Sequence, residues 1–136
     1  PGATRTTAEG IDSGKIVGTY MTSSRNRGFV YDGVSWITLN YPGARDTFAY
    51  GIDGDMIVGH YGYSLTDSHG FLYNGTTWQT LDFPGAIATY MEDISGDRIA
   101  GTYTDSLGKD HGFIYYIPEP ASLLLLGLGC WLIRRR

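Results

Sequence analysis

No internal disulfide can brace this chain. Its single cysteine, Cys130, lies in an apolar stretch near the C-terminus, so no intramolecular bridge can form and stability has to come from packing. Basic charge is also scarce: ten Lys and Arg face fourteen Asp and Glu, and three of the ten are the terminal Arg134, Arg135 and Arg136. The rest of the chain is therefore strongly acidic and repels phosphate, so nucleic acid is not expected as a partner. Catalytic signatures are missing too. There is no Gly-x-Ser-x-Gly elbow, phosphate-binding loop or zincin helix, and no nucleophilic cysteine outside the apolar stretch, so neither an enzyme nor a bound cofactor is expected. What is plentiful is glycine, with twenty residues, and tyrosine, with eleven. Those residues favour turns and strands over helices.

The C-terminus has a different character. Pro118-Glu119-Pro120 leads into an apolar run over residues 121–133, and three arginines close the chain. A helix of a soluble core would show a polar stripe at a 3.6-residue period. Here Leu123, Leu124, Leu125, Leu126, Leu128, Trp131, Leu132 and Ile133 leave no face polar. The arginines resist crossing a bilayer, so the run is expected to be a transmembrane helix over 121–133 that stops with its end cytoplasmic. Thirteen residues at about 1.5 Å each span only about 20 Å of a roughly 30 Å hydrocarbon core. Bilayer thinning, snorkelling by Arg134, Arg135 and Arg136, and help from residues 114–117 make up the difference.

This order of Pro-Glu-Pro, short apolar helix and basic end resembles the PEP-CTERM sorting signal of bacterial surface proteins, over residues 118–136. The resemblance implies a membrane-embedded exosortase as partner, with Pro118, Glu119 and Pro120 as substrate rather than catalyst and Arg134 to Arg136 as the membrane stop. It implies an exported protein, first an inner-membrane-anchored precursor and then a component of the surface or extracellular matrix of a Gram-negative bacterium. A Gram-positive wall-sorting signal would need a Leu-Pro-x-Thr-Gly motif, which is absent. A eukaryotic lipid-anchor signal has neither the Pro-Glu-Pro nor the terminal arginines.

Residues 1–117 repeat about every 42 positions. Pro1-Gly2-Ala3, Pro42-Gly43-Ala44 and Pro84-Gly85-Ala86 open copies over 1–41, 42–83 and 84–117. Each copy goes on to a Thr (Thr6, Thr47, Thr89), a turn (Ile11-Asp12-Ser13-Gly14, Ile52-Asp53-Gly54-Asp55, Ile94-Ser95-Gly96-Asp97) and an apolar-Gly segment ending in Tyr20, Tyr61 or Tyr103. A polar loop then leads to Gly28-Phe29-Val30-Tyr31, Gly70-Phe71-Leu72-Tyr73 or Gly112-Phe113-Ile114-Tyr115. Trp36 and Trp78 open the last segment of the first two copies, whereas Pro120 falls where a third Trp is due. The first copy is expected to form strands over 4–11, 15–20, 28–31 and 36–40, separated by turn chemistry.

The fold expected is therefore all-β: about three four-stranded antiparallel meanders, stacked as a partial β-propeller-like array, plus one C-terminal hydrophobic helix. Three blades do not close a usual ring, and the chain opens on a repeat boundary without Met or an export signal. The expectation is of a fragment or processed form with further blades upstream. The body also resembles the HAF-type extracellular repeats of bacteria, through His69-Gly70-Phe71-Leu72-Tyr73 and His111-Gly112-Phe113-Ile114-Tyr115, with Arg27 departing in the first copy. That resemblance implies an extracellular location and little about activity.

Several residues invite chemistry, and each has a plainer reading. His69 and His111 hold equivalent places and suggest a metal or general base, but Arg27 replaces them in the first copy, which favours loop capping. His60 alternates with Thr19 and Thr102, which suggests an exposed strand position. Asp12, Asp53, Asp55, Asp67, Asp93, Asp97, Asp105 and Asp110 supply oxygen ligands of the kind calcium takes, yet no calcium-loop spacing is present and hairpin geometry accounts for them. Glu92-Asp93 is a poor glycosidase pair, since neighbours on a strand point to opposite faces. Trp36, Trp78 and the repeating Tyr20, Tyr31, Tyr61, Tyr73, Tyr103 and Tyr115 belong first to inter-sheet packing. Tyr50, Tyr63 and Tyr90 lie outside the repeating landmarks and are the better candidates for contacting a ligand. Together these readings describe a structural or binding module of the surface or exopolysaccharide matrix, with extracellular polysaccharide among its expected partners. The alternative is part of a propeller-type extracellular enzyme whose catalytic residues lie in other blades.

Overall fold

The computed structural model describes residues 2–118, and the expected helix over 121–133, Glu119, Pro120 and Arg134 to Arg136 lie outside the described residues. Eleven strands form three antiparallel sheets, and no helix occurs among the described residues. The first sheet is the meander β1 (Arg5–Asp12), β2 (Lys15–Thr22), β3 (Arg25–Tyr31) and β4 (Trp36–Leu39). The second follows the same order with β5 (Asp46–Asp53), β6 (Met56–Gly62), β7 (His69–Tyr73) and β8 (Trp78–Thr80). The third has three strands: β9 (Ala88–Ser95), β10 (Arg98–Thr104) and β11 (Asp110–Tyr116).

Turn chemistry sets the registers. The first hairpin of every sheet closes through two residues, with Asp12 opposite Lys15, Asp53 opposite Met56 and Ser95 opposite Arg98. In the first, Ser13 and Gly14 both take positive φ (48° and 76°), whereas Gly54 and Gly96 alone do so in the others, at 61° and 59°. Both patterns belong to tight turns whose twist matches the flanking strands. The opening strand of each sheet then carries a bulge, at Glu9 between Ala8 and Gly10, at Tyr50 between Ala49 and Gly51, and at Glu92 between Met91 and Asp93.

One expected loop is not there. The first copy was expected to carry a polar loop between Tyr20 and Gly28, but β2 runs on to Thr22 and β3 begins at Arg25, closed by Ser23 and Ser24. Ser23 accepts a positive φ of 55°, so a non-glycine residue makes a turn that glycine usually signals. The second and third sheets keep real loops at residues 63–68 and 105–109.

The sheets stack in chain order. Strand β5 lies against β1, β2 and β3, and β9 lies against β5, β6 and β7, so each opening strand crosses the face of the sheet before it. Between the first two sheets lie Val17, Leu39, Ala49, Ile52, Ile57, Tyr61 and Phe71; between the second and third lie Val58, Leu72, Leu81, Met91, Ile94 and Ile99. Consecutive Ile57 and Val58 thus serve two different cores, as strand alternation requires when both faces are covered. Each such side chain contributes about 1.5–3 kcal/mol when fully buried. Polar ties reinforce the stack: Asp12 Oδ2 accepts the Gly54 N–H at 2.8 Å, Asp53 Oδ2 accepts the Gly96 N–H at 2.6 Å, and buried Asp46 accepts the Asn26 N–H at 2.7 Å.

Approach of backbones explains two glycines. A Cβ on Gly51 would lie 2.8 Å from the Asp93 Cα, so the opening strands of the second and third sheets touch there. A Cβ on Gly59 would lie 1.9 Å from the Phe48 carbonyl oxygen and 3.0 Å from the Phe71 ring. Since backbone cannot step aside as a flexible side chain can, Gly59→Ala should lower stability by about 1–3 kcal/mol. Urea denaturation of the variant should show that loss, and an unchanged midpoint would contradict the packing described.

Candidate functional site

The two equivalent histidines are not brought together. His69 is held in its own sheet, with Nδ1 2.8 Å from Asp82 Oδ2, Nε2 3.3 Å from Asp67 Oδ2, and its ring stacked on Tyr61. His111 pairs through Nε2 with Asp105 at 2.8 Å and stacks on Tyr103. Each imidazole therefore fastens a loop to a strand. Among the described residues no group of three or more His, Cys, Asp and Glu side chains is placed to hold a metal ion.

Most of the acidic turn residues are occupied by backbone and loop. Asp67 accepts the N–H groups of Tyr63 and Ser64 and the Ser64 hydroxyl, at 3.0, 2.6 and 2.6 Å. Those donors, the Ser64 hydroxyl foremost, hold its carboxyl far below the usual carboxylate range. Asp105 is lowered first by His111 and then by the N–H groups of Lys109 and Leu107. Asp12 and Asp53 tie successive sheets, and Asp55 pairs with Lys15 at 2.9 Å. Asp110 accepts the Thr104 hydroxyl at 2.6 Å, and Asp93 caps the Ile94 N–H at 2.9 Å.

Repeating aromatics pack rings against rings. Phe71 meets Trp78 edge-on at 5.0 Å, and Tyr73 lies 4.3 Å from the same indole. Tyr63 lies apart from the other two ligand candidates, against Tyr61 and His69. Tyr50 and Tyr90 do converge. With Glu9 and Glu92 they line an open cavity of about 380 Å³.

The bulges build this cavity. An extra residue at the same point of β1, β5 and β9 re-aims Glu9, Tyr50 and Glu92, and Tyr90 joins them from two positions earlier on β9. Tyr50 is half-buried, and burial first, then the Glu9 and Glu92 carboxylates, push its phenol above the usual range. Glu92 also accepts the Thr102 hydroxyl at 3.2 Å. Two phenol rings beside two carboxylates suit a ligand with an apolar face and hydroxyl or cationic donors.

His60 was expected on the surface and is instead only 8% exposed. It stacks on Phe48 at 4.5 Å and meets the rings of Tyr90 at 4.8 Å and Tyr50 at 5.3 Å, so it underlies two of the cavity's walls. Alternation with threonine misled because the third sheet covers β6, and burial by a neighbouring sheet leaves no trace in the strand's own pattern. Its Nδ1 is buried without a hydrogen-bond partner among the described residues. Glu9 and His60 are the residues that sequence reasoning missed; aligning the three copies at Glu9, Tyr50 and Glu92 is the signal that finds the first.

A model of the PEP-CTERM protein-sorting motif matches residues 117–136. That motif marks an exported protein sorted by an exosortase, with a C-terminal tail that anchors transiently in the membrane. Comparisons with curated proteins and with solved structures find no match.

Burial lowers the His60 pKa from 6.5 to about 4, with the Asp46 carboxylate opposing the shift. The unfolded chain therefore binds a proton between those values that the folded chain refuses, and stability falls as pH drops through that window. The loss attributable to His60 is about 3 kcal/mol, most of it reached by about pH 4 and complete only below that. Comparing urea midpoints of the protein and of His60→Thr from pH 7 to pH 4 should show a shallower decline in the variant; parallel curves would contradict it.

Proposed function

We propose that this chain is a binding and structural β-repeat module of the bacterial envelope or its extracellular matrix, delivered there by exosortase processing of its tail. The observation that carries the reading is the adjacency of sheet and signal. The last backbone hydrogen bond of the body runs from the Ile117 N–H to the Asp97 carbonyl at 2.7 Å, and Pro118 follows at once. A cut near Pro118-Glu119-Pro120 thus spares every strand of a body over residues 1–117. The tail over 118–136, with its apolar run 121–133 and the stop at Arg134 to Arg136, holds the protein in the inner membrane until the cut is made.

Within that body we read three successive stacking units of a propeller-like array. Support comes from matched registers: Gly18 faces Phe29, Gly59 faces Phe71 and Gly101 faces Phe113, each between the second and third strands of its sheet. The module's contact with extracellular polysaccharide lies at Tyr50 and Tyr90, whose rings offer stacking surfaces for sugars while Glu9 and Glu92 accept their hydroxyls. Binding rather than catalysis is the proposed role, since the residues that would do acid–base work elsewhere are engaged in holding loops.

Two measurements test this. Mass spectrometry of the protein from its host should find the C-terminus near Pro118 to Pro120, and Pro118→Ala with Glu119→Ala should leave the tail attached; a variant processed like the parent would contradict the sorting role. In affinity electrophoresis through the host's extracellular polysaccharide, Tyr50→Ala with Tyr90→Ala should lose about tenfold or more in retardation, from about 1–3 kcal/mol of lost ring stacking. Equal retardation of the two proteins would remove the polysaccharide contact.

A further inference from the structure

The second and third sheets each hold one aromatic ring that belongs to neither meander. Tyr41 lies just ahead of Pro42-Gly43-Ala44, and its ring stacks on Tyr61 at 3.6 Å with 5° between planes, edge-on to Trp78 at 5.4 Å. Its hydroxyl pairs with Thr80 Oγ1 at 2.7 Å, and its N–H is accepted by Thr47 Oγ1 at 3.0 Å. Phe83, just ahead of Pro84-Gly85-Ala86, repeats the arrangement: 3.7 Å and 3° on Tyr103, edge-on to Phe113 at 5.2 Å, N–H to Thr89 Oγ1 at 3.0 Å. Pro and Gly set the angle of entry. Gly43 and Gly85 both take a φ of 79°, and the Tyr41 and Phe83 carbonyls accept the Ala44 and Ala86 N–H groups at 3.0 and 3.1 Å. That is the turn with Pro second and a positive-φ Gly third.

The first sheet carries the same fittings around a cavity of about 290 Å³ whose lining includes Ala3, Thr6, Tyr20, Phe29, Trp36, Ile37 and Thr38. Gly2 has a φ of 76°, matching its counterparts. Tyr20 pairs with Thr38 Oγ1 at 2.8 Å, as Tyr61 does with Thr80 at 2.7 Å, and a threonine hydroxyl has room for the second hydroxyl that Thr80 receives. Phe29 and Trp36 lie 4.9 Å apart, as Phe71 and Trp78 lie 5.0 Å apart. What differs is cover: Trp36 is 54% exposed and Thr6 is exposed, whereas Thr47 and Thr89 are 2% and 1% exposed.

We propose that this cavity is a binding site for an aromatic side chain supplied in cis by a residue joined to the nitrogen of Pro1, tyrosine best. Its ring stacks on Tyr20 with its edge to Trp36, its N–H is accepted by Thr6 Oγ1, and a phenol hydroxyl pairs with Thr38 Oγ1. The site then fastens the first sheet as Tyr41 and Phe83 fasten the second and third. This inference stands whether or not the exosortase or polysaccharide readings hold.

The test extends the full chain, in detergent micelles, with Gly-Tyr, Gly-Phe or Gly-Ala ahead of Pro1. The Tyr form should melt about 5 °C or more above the Ala form, with Phe between them. Its Trp36 should also be the better shielded from acrylamide, read as the difference in quenching that Trp36→Phe abolishes. Thr38→Val should erase the advantage of Tyr over Phe without removing that of Phe over Ala, an outcome general destabilisation does not produce. Equal melting and equal quenching of the three forms would overturn the proposal. So would a Tyr form no better shielded than the Ala form while free N-acetyl-Tyr-Pro-amide protects Trp36 in both, because the ring would then come from a separate peptide.

Discussion

A short meander with apolar side chains on both faces is stable only when something covers each face, and in this protein the cover is the next sheet. Strand β6 shows the constraint most plainly, since Ile57 points into one core and Val58 into the other. Glycine makes the coverage possible at the narrowest points: Gly51 lets β5 touch β9, and Gly59 leaves room under the Phe71 ring. The carboxylate ties at Asp12 and Asp53 hold each sheet to the next, while the linker rings of Tyr41 and Phe83 pack the connecting segments onto the sheet that follows.

Function follows from what that stacking leaves over. The covered faces spend most of their aromatic rings on packing, and three of the four residues around the candidate cavity are ones released from the alternation, while the fourth, Tyr90, keeps its place opposite Thr102. Bulging releases Glu9, Tyr50 and Glu92, which is why the candidate cavity lies along the opening strands rather than in the loops that carry His69 and His111. The tail is a separate device. Its motif begins where the sheet's hydrogen bonding ends, so export and folding make independent demands on the sequence.

Much of this was legible in the sequence, where the cause is local. Asp-Gly and Ser-Gly pairs mark hairpins, alternation marks strands, and Pro-Glu-Pro with a basic end marks the sorting motif because membranes and processing enzymes read short segments. Tyr50 and Tyr90 stood out because they break the repeating pattern. Long-range effects stayed hidden. His60 is buried by a strand some thirty positions away, Glu9 reaches the cavity only because a bulge shifts the parity of β1, and the Ser23–Ser24 turn uses a conformation that serine does not advertise.

Amide hydrogen exchange of the full chain, resolved residue by residue, tests the central constraint most directly. If the sheets depend on one another, the amides of Ile57, Val58, Phe71 and Leu72 will exchange only through global unfolding and with one common free energy, while β1 opens far more readily. Exchange of β5 to β8 at rates no slower than those of β1, or unaffected when Gly51→Val forces the second and third sheets apart, would contradict the account.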